Sequence, residues 1–146
     1  AKEYMDKYFN RYPGVKNYLD SIVEFSKEKG YVKTIFNRVR TIPEIKSSNK
    51  IVKSLGERLS MNTPIQGSAA DIIKLAMIKV FNKLKERKLK SKIILQVHDE
   101  LVLNVYKDEL KEVSRIVKDE MENCYEDIRI PLTVNVSHGE NWFEAK

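Results

Sequence analysis

Hydrophobic positions fall into a few periodic runs along the chain. Tyr4, Tyr8 and Tyr12 recur every four residues, and beyond Pro13-Gly14 the set Val15, Tyr18, Leu19, Ile22 and Val23 continues a helical stripe as far as Gly30. This predicts a helix, a break and a second helix. Pro13 suits the first turn of the second helix, where its missing N–H costs nothing, and Gly30 suits the C-terminal position that needs positive φ. Residues 31–35 predict a short strand. Asn37-Arg38-Val39-Arg40-Thr41 reads as a basic turn leading into Ile42-Pro43, which ends the strand's pairing.

Ile51, Leu55 and Leu59 then recur at helical spacing until Pro64, which is expected to interrupt the helix. A long helix is predicted beyond it, because Ala69, Ile72, Ile73, Ala76, Val80, Phe81 and Leu84 form one apolar face opposite Lys74, Lys79, Lys83 and Glu86. Ser68 is its expected cap, with Asp71 in the first turn. Over residues 92–106, Ile93, Leu95 and Val97 alternate with Ile94, Gln96 and His98, and after Asp99-Glu100 the run Leu101-Val102-Leu103-Asn104-Val105 resumes. That is a β-hairpin with its acidic residues at or near the turn. Val113, Ile116, Val117, Met121 and Cys124 predict another amphipathic helix, and residues 131–136 a final strand. The order predicts an α+β fold, helices packed on an antiparallel sheet. Tyr4, Tyr8, Tyr12 and Trp142 are assigned to packing, and Cys124 to an inert buried thiol.

Composition narrows the classes. The 146 residues carry 27 Lys and Arg against 21 Asp and Glu, a net charge of +6, and 42% are hydrophobic. That suits one domain of common size. No run of eighteen apolar residues occurs and the first residues lack a signal-peptide layout, so no membrane association is expected. One cysteine allows no internal disulfide, and with only two histidines there is no Cys/His set for a structural zinc; a cytoplasmic setting is expected. Charge is unevenly spread. Residues 1–90 carry 20 cationic against 9 acidic side chains, whereas residues 91–146 carry 7 against 12. A basic part suits a polyanion such as nucleic acid, and acidic residues gathered elsewhere suit divalent metal.

His98-Asp99-Glu100 is the unusual feature, because three adjacent polar residues between strands of Ile, Leu and Val gain nothing from burial. Two neighbouring carboxylates on a rigid hairpin can ligate Mg²⁺, which takes oxygen ligands and keeps positions open for phosphate oxygens. A phosphohydrolase built on a His-Asp pair would need more histidines than His138 supplies. Gln96-Val97-His98-Asp99-Glu100 between apolar strands closely resembles the third palm motif of the A family of DNA polymerases. Residues 63–71, Thr-Pro-Ile-Gln-Gly-Ser-Ala-Ala-Asp, resemble the family's segment entering a long palm helix. Residues 30–36, Gly-Tyr-Val-Lys-Thr-Ile-Phe, resemble the hairpin after the fingers, and Gly139-Glu140-Asn141-Trp142 the C-terminal signature.

The resemblance spans the chain and implies a partial polymerase palm with part of the fingers: residues 1–62 the end of the fingers with a connecting hairpin and helix, residues 63–146 the palm part with the catalytic hairpin. It implies template-directed nucleotidyl transfer from dNTPs to a primer 3′ end by a two-metal mechanism. Asp99 becomes a Mg²⁺ ligand, Glu100 a supporting carboxylate, and His98 a residue near the primer terminus. Arg58, Asn62 and Gln66, spaced by four, match positions along the duplex near its newly formed end. Minor-groove acceptors look alike in every base-pair orientation, so donors there test pair shape without reading sequence. Lys50 and Lys53 are read as sequence-independent backbone contacts or as solubilising charge only, and Arg38 and Arg40 as template contacts, although the family shows Gly followed by three Arg where this chain has Asn37-Arg38-Val39-Arg40. The first palm motif, with its other catalytic aspartate, and the triphosphate-binding fingers helix have no counterpart in these residues. The 146 residues alone are therefore expected to be inactive, their partners being primer–template DNA, dNTP and the remainder of a longer polymerase. The rival reading is a stand-alone nucleic-acid-binding module derived from such an enzyme.

Overall fold

The computed structural model describes residues 2–145. The elements are α1 (Lys2–Arg11), α2 (Pro13–Lys29), β1 (Tyr31–Lys33), β2 (Val39–Thr41), a 3₁₀ turn (Pro43–Lys46), α3 (Lys50–Glu86), β3 (Lys92–Val97), β4 (Glu100–Asn104), a second 3₁₀ turn (Lys107–Glu109) and α4 (Leu110–Glu122). The α+β class is as expected, and its antiparallel strands form two separate two-stranded hairpins, β1–β2 and β3–β4. The chain divides into two compact units, Ala1–Ser68 and Ala69–Lys146, with the boundary inside α3.

In the first unit Pro13 opens α2 and Gly30 ends it, at φ 79, with its N–H donated to the Ser26 carbonyl. The residues expected to form only a basic turn include β2, which pairs with β1 in the register Tyr31↔Thr41, Val32↔Arg40 and Lys33↔Val39. Asn37 makes the reversal possible. It sits at φ 60, a left-handed conformation that Gly and Asn adopt most readily. Val32, Ile42 and Ile45 form a buried cluster with Ile22 and Leu59 against it. Gly56 lets α3 approach that cluster, since a Cβ there would lie 2.6 Å from the Ile45 nitrogen.

Pro64 does not interrupt the helix. α3 runs 37 residues through it, starting at Asn49, whose side chain accepts the Ile51 N–H at 2.9 Å. Anchoring on both sides of the proline outweighs its lost hydrogen bond: buried Ser60 lies 2.8 Å from Ser26 Oγ and from the Gly56 carbonyl, and Ser68 Oγ accepts the Ile35 N–H at 3.0 Å. Ser68 is accordingly no cap but a mid-helix residue whose hydroxyl donates back to the Pro64 carbonyl. Asp71 likewise lies deep inside the helix rather than in its first turn.

In the second unit, Val80 and Leu84 of α3 meet Val113, Ile116 and Val117 of α4, with Ile93, Leu101, Leu103 and Val105 of the hairpin region against them. The predicted apolar face of α3 is buried at Ile73, Ala76, Val80 and Leu84, whereas Ala69 and Phe81 are exposed. Cys124 is buried as expected, and burial pushes its thiol pKa up. Residues 131–136 are not a strand. Among the described residues no strand edge pairs with them, and the Val134 N–H goes instead to the Glu122 carboxylate at 3.0 Å. Tyr4, Tyr8, Tyr12 and Trp142 are exposed rather than packed in a core; Tyr8 meets the neighbouring rings of Phe9 and Tyr12, with centroids 5.5 and 5.2 Å away. No helix among the described residues is long and apolar enough to cross a membrane.

Candidate functional site

Strand pairing brings His98, Asp99 and Glu100 together at the tip of β3–β4. Val97 and Glu100 face each other across the strands, so His98 and Asp99 form a two-residue turn. His98 takes φ 52, while Asp99 has no positive φ. A two-residue hairpin loop with positive φ only at its first position usually has glycine there; here an imidazole occupies it. Gln96 supports the turn, its side-chain amide donating to the His98 carbonyl at 2.6 Å. All three tip side chains are exposed. Asp99 and Glu100 supply hard oxygen donors of the kind a divalent cation takes. Among the described residues no group of three or more His, Cys, Asp or Glu side chains is placed to hold a metal ion. The pair therefore fits Mg²⁺ in donor type and is short in donor number.

The first unit holds a second group. Because α3 is continuous, Arg58, Asn62 and Gln66 lie on one exposed helix face. Beside Gln66 a cavity of about 120 Å³ opens, lined by Thr34, Arg38, Arg40, Thr63 and Gly67 among others. Both arginines are tied to α3: Arg38 Nη2 donates to the Gly67 carbonyl at 3.1 Å and Arg40 Nη1 to Thr63 Oγ1 at 3.2 Å. Thr34 anchors the turn beneath them, its hydroxyl accepting the Phe36 and Arg38 N–H groups. Lys50 and Lys53 stand apart, in the first turn of α3 and roughly 20 Å along its axis from Gln66. The helix dipole disfavours cations there, and the first turn of α3 contains no acidic residue. Thr34, Thr63 and Gly67 were not singled out for the cavity from sequence, although each falls inside a segment that carries the family resemblance.

Residues 1–144 match the sequence model of DNA polymerase family A, and the chain belongs to that family. It is 56% identical, over its whole length, to the DNA polymerase I of Caldicellulosiruptor bescii and 48% identical to that of Bacillus caldotenax. The chain spans 17% and 16% of those proteins, about one-sixth of their length. Among solved structures it resembles the POL domain of Pol1 from M. smegmatis, in complex with DNA primer-template and dNTP, with a TM-score of 0.94 and 44% identity over 99% of this chain and 25% of that one.

Proposed function

We infer that this chain supplies the carboxylate-bearing hairpin and part of the primer–template surface of a DNA-directed DNA polymerase that transfers nucleotides from dNTPs to a primer 3′ end. The observation that carries the reading is the exposed His98-Asp99-Glu100 tip on a buried apolar base, in a chain similar over its full length to DNA polymerase I. Residues 1–62 belong to the end of the fingers and its connection, and residues 63–146 to the palm. Asp99 contributes one of the carboxylates holding Mg²⁺, completed by an aspartate outside this chain, and Glu100 supports it. Bound there, Mg²⁺ offsets the charge that develops on the attacking and leaving oxygens.

The protein's share is positioning. His98 lies beside the primer terminus, and the strained turn keeps its imidazole and the Asp99 carboxylate in one fixed relation. Arg58, Asn62 and Gln66 present donors along one helix face to the minor groove. Lys50 and Lys53, which the α3 dipole disfavours, gain when a phosphate oxygen sits against them, as do Arg38 and Arg40 beside the cavity.

The test is Asp99→Ala in the intact polymerase that carries this chain. Extension under single-turnover conditions falls by at least about a hundredfold, since metal charge stabilisation is worth several kcal/mol, while primer–template affinity stays near wild type. Glu100→Ala falls less. An Asp99→Ala enzyme retaining more than about one-hundredth of the wild-type rate overturns the reading.

A further inference from the structure

At the base of the catalytic hairpin three segment ends are tied by one carboxylate. Glu109, the residue before α4, accepts the Lys90 N–H at 2.9 and 3.1 Å, the Ser91 N–H at 2.9 Å and the Ser91 hydroxyl at 2.6 Å. Ser91 is 3% exposed, and its Oγ accepts the Tyr106 N–H at 3.1 Å. Residues 90 and 91 lead into β3, Tyr106 follows β4, and Glu109 immediately precedes α4, so both feet of the hairpin are fixed to the start of the helix.

The strands themselves do not run in one register. Near the base Lys92 faces Asn104 and Ile93 faces Leu103; nearer the tip Leu95 faces Val102, Gln96 faces Leu101 and Val97 faces Glu100. The pairing sum changes by one between these sets, and Ile94 is the extra residue. Side-chain chemistry does not choose which isoleucine is extra. Ile93 packs against the core while Ile94 is 62% exposed, yet the two are the same residue type, and a slip of one would exchange them at no cost in apolar character. Register is weakly specified where the pattern is degenerate in this way.

We propose that Glu109, acting through Ser91, is a positioning element for the catalytic turn: it pins the base register, forces the bulge at Ile94, and so sets the direction in which the tip carries Asp99. A bulge bends its strand and re-aims the side chains beyond it. Without the tie, β3 adopts the tip register throughout, Ile94 replaces Ile93 against the core, the bulge anneals away and the tip is carried off its aim. The tip lies about six residues, or roughly 20 Å, from the tie, so a small change of direction at the base is enlarged at Asp99.

This rests on the reading of Asp99 given above, and the experiment separates the two. In the intact polymerase, rapid-quench single-turnover extension reads the rate constant and the burst amplitude independently. Glu109→Ala is expected to lower the rate constant by at least about tenfold with the amplitude retained. In an Ile94→Ser background, where slippage would bury a hydroxyl, the same substitution is expected to cost less than about threefold relative to Ile94→Ser alone. Ser91→Ala, which leaves the backbone donors in place, acts in the same sense and serves if Glu109→Ala does not fold; Ser91→Thr restores the rate. A reduced amplitude with an unchanged rate constant makes Glu109 merely structural and overturns the proposal, as does a rate loss equal in both backgrounds. Full activity of Asp99→Ala removes the underlying reading and the proposal with it.

Discussion

Gln96 and His98 are joined by a hydrogen bond of 2.6 Å in which the glutamine amide donates to the carbonyl of a residue at φ 52. The bond satisfies a carbonyl that the tight turn leaves outside the strand ladder, and it holds an imidazole where a glycine would be more comfortable. Non-glycine residues in this conformation carry about 1 kcal/mol of strain. His98→Gly should therefore be more stable than His98→Ala by about 1 kcal/mol in urea denaturation of the chain. Both variants should slow extension in the intact enzyme. Equal stability of the two would mean that the turn stores no strain.

Gln66 lies in the middle of α3, so a capping role does not account for it. Gln66→Ala in the intact polymerase should slow extension from matched and mismatched primer ends by different factors, because a minor-groove donor senses the shape of the terminal pair. Single-turnover extension from both kinds of terminus measures this. Equal losses would take the shape-sensing role away from this residue.

Gly56 faces backbone atoms, with the Glu44 carbonyl carbon 2.8 Å and the Ile45 nitrogen 2.6 Å from the position of a Cβ. Alanine would gain about 1 kcal/mol in helix propensity. Overpacking against backbone should outweigh that gain, leaving Gly56→Ala about 1–3 kcal/mol less stable. A neutral or stabilising result in chemical denaturation would show that the 3₁₀ turn after Ile42 yields easily.

Hydrogen bonds from the Lys90 N–H, then the Ser91 hydroxyl, hold the Glu109 carboxyl below its ordinary pKa of 4.5. A group whose pKa is lower folded than unfolded stabilises the fold above its unfolded value and loses that contribution as pH falls through the folded one. The stability gap between wild type and Glu109→Gln should be constant near neutrality and shrink as pH drops below 4.5. Denaturation midpoints measured across the acid range decide it, and a gap that stays constant to the acid limit would contradict the hydrogen-bond geometry.

The 146 residues by themselves should show no metal-dependent primer extension, since among the described residues no set of three or more ligating side chains forms at Asp99 and Glu100. Weak DNA binding should persist and fall steeply with salt, because Lys and Arg neutralise phosphates by counterion release. Extension that survives in purified chain but vanishes in Asp99→Ala chain prepared alongside would show that these residues suffice.

What could be read from the chain was whatever depended on neighbours in sequence. Pro13 and Gly30 mark the ends of α2, the alternation around Gln96 and His98 marks the hairpin, and the spacing of Val113, Ile116 and Val117 marks α4, because each signal is set by local backbone geometry. The failures share a cause. Pro64 reads as a break until Ser60 and Ser68 are seen to be anchored on either side of it. Tyr4, Tyr8 and Tyr12 have the spacing of a buried stripe but meet no core, and the bulge at Ile94 is invisible where three apolar residues stand in a row. At the candidate site the residue types and their order were legible; the tie from Glu109 to Ser91 joins residues eighteen apart and announces itself by no motif.

Residues 131–136 alternate Leu132, Val134 and Val136 with Thr133 and Asn135, yet they form no ladder among the described residues. Apart from the Val134 N–H, which the Glu122 carboxylate accepts, backbone in that condition is a template: its N–H and C=O groups can pair with the same segment of another molecule as readily as with a strand of its own. Concentrated solutions of the chain should then thicken into edge-to-edge assemblies, with Pro131 and Asn135 acting as the brakes that slow them. The segment is thus a colloidal hazard for as long as its remaining backbone groups stay outside a ladder, and how the protein is stored becomes a consequence of one short alternating stretch.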